Sequence, residues 1–217
     1  MPDFSILFEN MDSYLEGFQN TVIASLIALA ASFVLGTLIA VMRIAPIRVF
    51  NWLGAAYVEF IRNIPLILIT FIFFIGLPVF NIRLSGFAAG TIGLSIYTAA
   101  FIAEAIRAGI LSVPKGQLEA ARSSGLTYSQ AMYHVILPQA IKIVIPPLGN
   151  QFINLVKNSS ILAVVAGTDL MYFGDLIASK TFVTFDVYIF VALFYLLLTV
   201  PLSLGVGYVE RRLARSH

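Results

Sequence analysis

Residues 17–42 read GFQNTVIASLIALAASFVLGTLIAVM, 26 consecutive positions without an Asp, Glu, Lys or Arg. A bilayer core about 30 Å thick is crossed by about 20 apolar helical residues, so this run alone is long enough to span one. Three more charge-free runs follow: Asn63–Ile82 and Leu84–Ala103 with 20 residues each, and Val187–Val209 with 23. A fifth, Ile143–Val156, has 14 and reaches spanning length only if extended back through Lys142 to Pro138; a lysine there can snorkel to the interface. The reading is therefore an all-α, polytopic membrane protein with five transmembrane helices, at about 17–42, 63–82, 84–106, 138–157 and 187–209. It forms a single transmembrane domain over 1–217, with its core at about 17–209.

Composition agrees. Of 217 residues 59% are apolar and 11% charged, against roughly 45–50% and 25% in an average soluble domain. The mean hydropathy is +0.94. Too little charge is available to coat a soluble globule, and a net charge of +2 implies no polyanionic partner, so nucleic-acid binding is excluded. Membrane lipid is the expected surround. There is no cysteine, and the only histidines are His134 and His217, so neither a disulfide framework nor a thiolate or multi-histidine metal site is expected.

The few charges also orient the spans. With the N-terminus outside, the inner segments 43–62, 104–134 and 210–217 carry nine basic residues: Arg43, Arg48, Arg62, Arg107, Lys115, Arg122, Arg211, Arg212 and Arg215. The outer segments carry three, Arg83, Lys157 and Lys180. The positive-inside rule thus places the N-terminus outside and the C-terminus inside. Asp3, Glu9, Asp12 and Glu16 precede the first span with no base among them, unlike a signal peptide, so the N-terminus is expected to be retained. Residues 159–179 include Asp169 and Asp175. Two acids are costly in lipid, so a re-entrant or interfacial segment covered by protein is expected.

One inner loop, at about 112–131, has a pattern of its own. After Pro114, the residues Gln117–Ser124 are good helix formers. Gly125 suits a C-cap, and Thr127 with Gln130 suits a capping box. Two short helices joined at Gly125, with Ala120 and Ala121 exposed between Glu119 and Arg122, make a docking knob. In the third span, Gly86, Gly90 and Gly93 predict close packing on a neighbour. Glu59/Arg62 and Glu104/Arg107 read as neutralising i, i+3 pairs. Trp52 and Tyr57 fit an inner aromatic belt, and Tyr188 an outer one.

Helix four is the polar one. Asn150, Asn154 and Asn158 recur every four residues and share a face, flanked by Gln151 and Lys157 and followed by Ser159 and Ser160. Intramembrane polar groups face a cavity or a partner helix. Pro146-Pro147 removes backbone donors and is expected to break or kink the helix. Broken, polar-lined helices mark transporter binding sites, so Asn150, Gln151, Asn154, Lys157, Asn158 and Ser159 are the candidate substrate path. Helix-to-helix hydrogen bonding is the structural alternative.

The run Glu119-Ala120-Ala121, three residues, Gly125, nine residues, then Val135-Ile136-Leu137-Pro138 resembles the cytoplasmic signature of bacterial binding-protein-dependent type I ABC importer permeases. Val135 stands where isoleucine is usual. Gln139–Asn150 and Glu59-Phe-Ile-Arg62-Asn-Ile-Pro65 resemble the polar amino-acid subfamily. The resemblance implies a permease in the bacterial cytoplasmic membrane, paired with a second copy or a paralogue. It also implies a dimer of ABC ATPase subunits and an extracytoplasmic substrate-binding protein. Glu119, Ala120, Ala121, Arg122, Gly125, Leu137 and Pro138 would couple to the ATPase. ATP and Mg would be bound there, with no cofactor in this chain. Relatives importing basic amino acids often carry an acid where Gln151 stands, and Lys157-Asn-Ser-Ser160 resembles glutamine or glutamate permeases. No G-x-x-x-x-G-K-[ST] phosphate loop is present: Gly109 meets Pro114 where the second glycine belongs. The chain is therefore read as a conduit and not an enzyme. The alternative class is a secondary transporter or channel subunit, which would favour paired repeats and an ionisable residue deep in a span.

Overall fold

The computed structural model describes residues 4–214; Asp3, Arg215 and His217 lie outside them. Among the described residues the chain is helical throughout. The order is α1 (Phe4–Glu9), α2 (Met11–Ile44), α3 (Arg48–Arg62), α4 (Leu66–Phe71), α5 (Gly86–Leu111), α6 (Lys115–Ser123), α7 (Tyr128–Ala131), α8 (Leu137–Asn158), α9 (Leu170–Thr181) and α10 (Thr184–Ala214). A π turn (Ile72–Gly76) and a 3-10 turn (Leu77–Phe80) prolong α4, a second π turn (Met132–Ile136) joins α7 to α8, and a 3-10 helix (Ser159–Val165) prolongs α8. Among the described residues four helices are long and apolar enough to cross a membrane: Met11–Ile44, Gly86–Leu111, Tyr128–Val165 and Thr184–Leu213. A bent pair, Arg48–Arg62 with Leu66–Phe80, makes five if it counts as one.

That bent pair is where the structure departs from the charge map. Asn63–Ile82 is not a straight helix. Pro65 has no N–H and pushes Ile64 out of the helical region, so the chain turns by 105° between α3 and α4. The stretch Leu66–Phe80 is only about 22 Å long at 1.5 Å per residue. The inner segment before it is an amphipathic helix that buries Gly54, Val58 and Ile61.

The packing of α2 is inside out. Gly17, Thr21, Ser25, Ala28, Ser32, Gly36 and Ala40, spaced three or four residues apart, are buried, while Leu26, Val34 and Leu38 are exposed. Lipid is as apolar as leucine, so such helices are seated by close approach of small residues rather than by hydrophobic burial. A Cβ at Gly36 would stand 2.7 Å from the Ile102 side chain and 2.8 Å from the Ala99 carbonyl of α5. Within α5 the expected glycine contacts are present. Gly86 lies against the Val165 carbonyl, a Cβ at Gly90 would meet Leu162 at 2.5 Å, and one at Gly93 would meet Thr70 Oγ1 at 2.8 Å.

The ambiguous segment 159–179 folds back onto the bundle. Thr21 Oγ1 of α2 accepts from the Leu170 amide at 3.0 Å, and Asn20 Nδ2 donates to the Thr168 carbonyl at 2.8 Å. Asp169 is fully buried and caps α9, accepting from the amides of Met171 (3.1 Å) and Tyr172 (3.3 Å) and from the Tyr195 hydroxyl (3.4 Å). Burial pushes its carboxyl up to about 6, against the partial relief of those bonds. Tyr57 donates to the Ile96 carbonyl at 2.7 Å, and Tyr188 to Asp175 Oδ1 at 2.6 Å.

Candidate functional site

The inner loop is built by local rules. Pro114 ends the connection from α5 and opens α6. At the far end Gly125 adopts φ +88°, and its amide donates to Arg122 O (3.0 Å) while the Leu126 amide donates to Ala121 O (3.2 Å). This is a Schellman cap, which needs a left-handed residue. Thr127 then starts α7 with the full capping box: Gln130 N to Thr127 Oγ1 at 3.3 Å, and Thr127 N to Gln130 Oε1 at 2.9 Å. Glu119, Ala120 and Arg122 are exposed. Arg122 bends back to the Leu126 carbonyl at 2.8 Å.

Ala121 corrects the sequence reading: it is buried, not exposed. It lies three residues from Leu118, so both share the inner face of α6. Leu118 packs with Met132 and Val135 against Val113, Ile136 and Ala140, and Gln139 Nε2 reaches Gln117 Oε1 at 3.3 Å. The knob is thus fixed to the start of α8. There Pro138 is exposed, and its missing N–H favours the preceding π turn. Leu137 is half-buried and lines an apolar cleft of about 690 Å³ between α2, α5, α8 and α10. Its side chain therefore does not share the free face of α6.

The second candidate group lies elsewhere. Asn150 is about 18 Å along α8 from Pro138 at 1.5 Å per residue, so the structure does not bring the two groups together. The expected break at Pro146-Pro147 is absent: α8 runs unbroken through both prolines, although the carbonyls of Lys142 and Ile143 have lost their helical donors. Asn150, Asn154 and Lys157 are exposed, and Gln151 and Asn158 half-buried. Ser159 stands apart: it is buried and its hydroxyl donates to Val156 O at 2.7 Å. At its far end the stripe opens into a cleft of about 490 Å³ lined by Asn158, Ser160 and Asp175 together with Leu66, Val164 and Met171. The larger, apolar cleft offers a polar solute nothing to bind.

A third cluster escaped the sequence. Glu104 pairs with Arg107, as its spacing suggested, at 2.7 Å, but also with Arg43 of α2, while Arg62 of α3 stands 4.0 Å away. Arg62 therefore turns to Glu104 and not to Glu59. Only packing across helices creates this grouping, and no local pattern signals it.

The family model described as "Binding-protein-dependent transport system inner membrane component" matches residues 32–215. The chain belongs to that family. It is accordingly a multi-pass permease subunit of the cytoplasmic membrane, and the secondary-carrier alternative falls away. It is 71% identical over 213 residues to the probable glutamine ABC transporter permease protein GlnM of Bacillus subtilis, covering 98% of this chain and 99% of that one. The L-cystine transport system permease protein TcyB of the same organism is 35% identical over 200 residues, covering 92% and 86%. A crystal structure of an amino acid ABC transporter with histidines matches with a TM-score of 0.92 at 36% identity, covering 98% of this chain and 99% of that one. An inward-facing MetNI methionine ABC transporter, 21% identical with a TM-score of 0.72 over 97% and 99% of the two chains, shares the fold.

Proposed function

We propose that this permease serves an ATP-driven importer of a polar amino acid, glutamine or a close relative. The observation that carries the reading is α6, closed by its Schellman cap and followed by the boxed α7, which presents Glu119, Ala120 and Arg122 on an exposed face in a family whose members work with separate binding proteins. A dimer of ATPase subunits, holding ATP and Mg, docks there; a basic residue in its cleft is the natural partner for Glu119. The bent pair α3–α4 acts as the second of five spans, with the N-terminus outside.

Asn150, Gln151, Asn154, Lys157 and Asn158 line the path. A helix that exposes Asn150 and Asn154 within the membrane needs a polar neighbour; a second permease, whether a copy or a paralogue, encloses the path and meets that need. Asparagine and glutamine amides offer both the donors and the acceptors that an amino acid's carboxylate and ammonium require. With no acid at Gln151, a basic side chain finds no counter-charge there. The glutamine assignment of the 71%-identical relative supports the same substrate.

Reconstitution with the ATPase and binding protein tests this. Uptake of labelled glutamine should be competed by glutamine or glutamate and not by arginine or cystine; exclusive arginine uptake overturns the substrate. Glu119→Lys should abolish uptake while the permease still inserts, and normal uptake in that variant removes the docking role.

A further inference from the structure

The third cluster has no part in the function proposed above, and its geometry is uneven. Arg107 Nη2 donates to Glu104 Oε1 at 2.7 Å, and Arg107 Nε to Oε2 at 3.3 Å. Arg43 Nη1 donates to the same Oε2. Arg62 stands off at 4.0 Å, with its guanidinium 5.4 Å over the Phe101 ring. Three guanidiniums therefore share the one Glu104 carboxylate. The arms differ in burial as well: the Arg43 side chain is 10% exposed and that of Arg62 38%. A desolvated arm in contact is hard to break, whereas an exposed arm at 4 Å is worth little. The cluster has a tight side, α2 to α5, and a loose side, α3 to α5.

The helices are arranged to use that difference. The small-residue seam also locks α2 to α5. After Arg62, by contrast, the chain reaches the 105° bend at Asn63–Pro65 that leads into α4. Beyond Glu104 and Arg107, α5 runs on through Ser112, Val113 and Pro114 straight into α6, and Val113 packs against Ile136 and Ala140 at the foot of α8. Any displacement of α6 is thus delivered to the C-terminal end of α5, where Glu104, about two turns before Leu111, reaches Arg43 and Arg62 on neighbouring helices.

We infer that Arg62 is a positioning residue for transport. It is the releasable arm through which the α2–α5 unit moves the α3–α4 pair when α6 is displaced. Its ion pair with Glu104 at 4.0 Å and its seat on Phe101 hold the bend in the conformation seen here. Loosening that arm frees α4 to swing without parting α2 from α5. The inference rests on the reading that α6 docks the ATPase.

The test uses the assembled transporter in vesicles. The chain contains no cysteine, so spin labels can be placed cleanly at Leu26→Cys on α2 and Ile75→Cys in the π turn that prolongs α4, both exposed. The inter-label distance distribution should shift when ATP and Mg are added. In Arg62→Gln the ATPase should still co-purify, the shift should vanish, and uptake per ATP hydrolysed should fall about fivefold or more. Arg62→Lys should recover part of both. An unshifted distribution in the unsubstituted protein, or a full shift with unchanged coupling in Arg62→Gln, overturns the inference. If Arg62→Gln does not insert, Phe101→Leu removes only the ring beneath the guanidinium, and unchanged coupling there overturns it equally. Glu119→Lys separates the two readings. Normal uptake in that variant refutes docking through α6, whereas the Arg62 measurements fail or succeed with the motor still attached.

Discussion

Two carboxylates sit near opposite ends of α2, and each answers burial differently. Glu104, beside Arg43, is held by guanidiniums from α2, α3 and α5. Asp169, beside Thr21, has no cation among its hydrogen-bond partners and relies on two backbone amides of α9 and one tyrosine hydroxyl. The first solution is global: it exists only after three helices have met. The second is local: an N-cap forms wherever an aspartate precedes a helix. A global ion cluster ties helices together and can be loosened arm by arm. A local cap fixes one helix end and does little else.

The comparison breaks most severely at Glu104. Glu104→Gln takes the shared carboxylate from Arg43, Arg62 and Arg107; because Glu104 is half-buried, the loss stays below that of a fully buried pair, at about 2 kcal/mol. The amount of folded, inserted permease after mild detergent extraction should drop sharply, and a normal yield would show that the arginines are satisfied elsewhere. Asp169→Ala should be milder. It removes a cap worth about 1 kcal/mol and should lower the thermal midpoint without affecting insertion. The smallest effect sharpens the contrast further. Because burial raises the Asp169 carboxyl to about 6, above its value in an unfolded chain, folding favours its protonated form. Its contribution to stability therefore falls as pH rises from about 4 to about 6 and is flat above. Asp169→Asn keeps the cap and cannot ionise, so its thermal midpoint should lose that pH slope; an identical slope in both proteins would place the titration elsewhere.

The same division explains what the sequence could disclose. The spans in α2, α5, α8 and α10 follow from charge-free runs, since lipid tests each helix one at a time. The Schellman glycine Gly125 and the Thr127–Gln130 capping box are encoded within a few residues and are found as expected. At Asn63–Ile82 a charge-free run does not register the turn that Pro65 imposes, so the bend between α3 and α4 is invisible to charge counting. Spacing placed Arg107 on Glu104 correctly but paired Arg62 with Glu59, because i, i+3 proximity cannot see a stronger acceptor on another helix. A short helix in a polar loop looks solvated all round in sequence, which hides the burial of Ala121; Leu118 and Ala121 share the face that packs on the foot of α8. The asparagine stripe was legible as a stripe, and its exposure in the folded chain shows which side of α8 remains uncovered.

The small-residue seam between α2 and α5 carries one more consequence, for handling the protein outside its membrane. The seam holds by fit, so replacing lipid tails with detergent tails of equal apolarity takes little from it. Volume is its weakness: a single methyl at Gly36 has nowhere to go against Ile102 and Ala99. Such a permease should tolerate a change of surroundings far better than a change of shape.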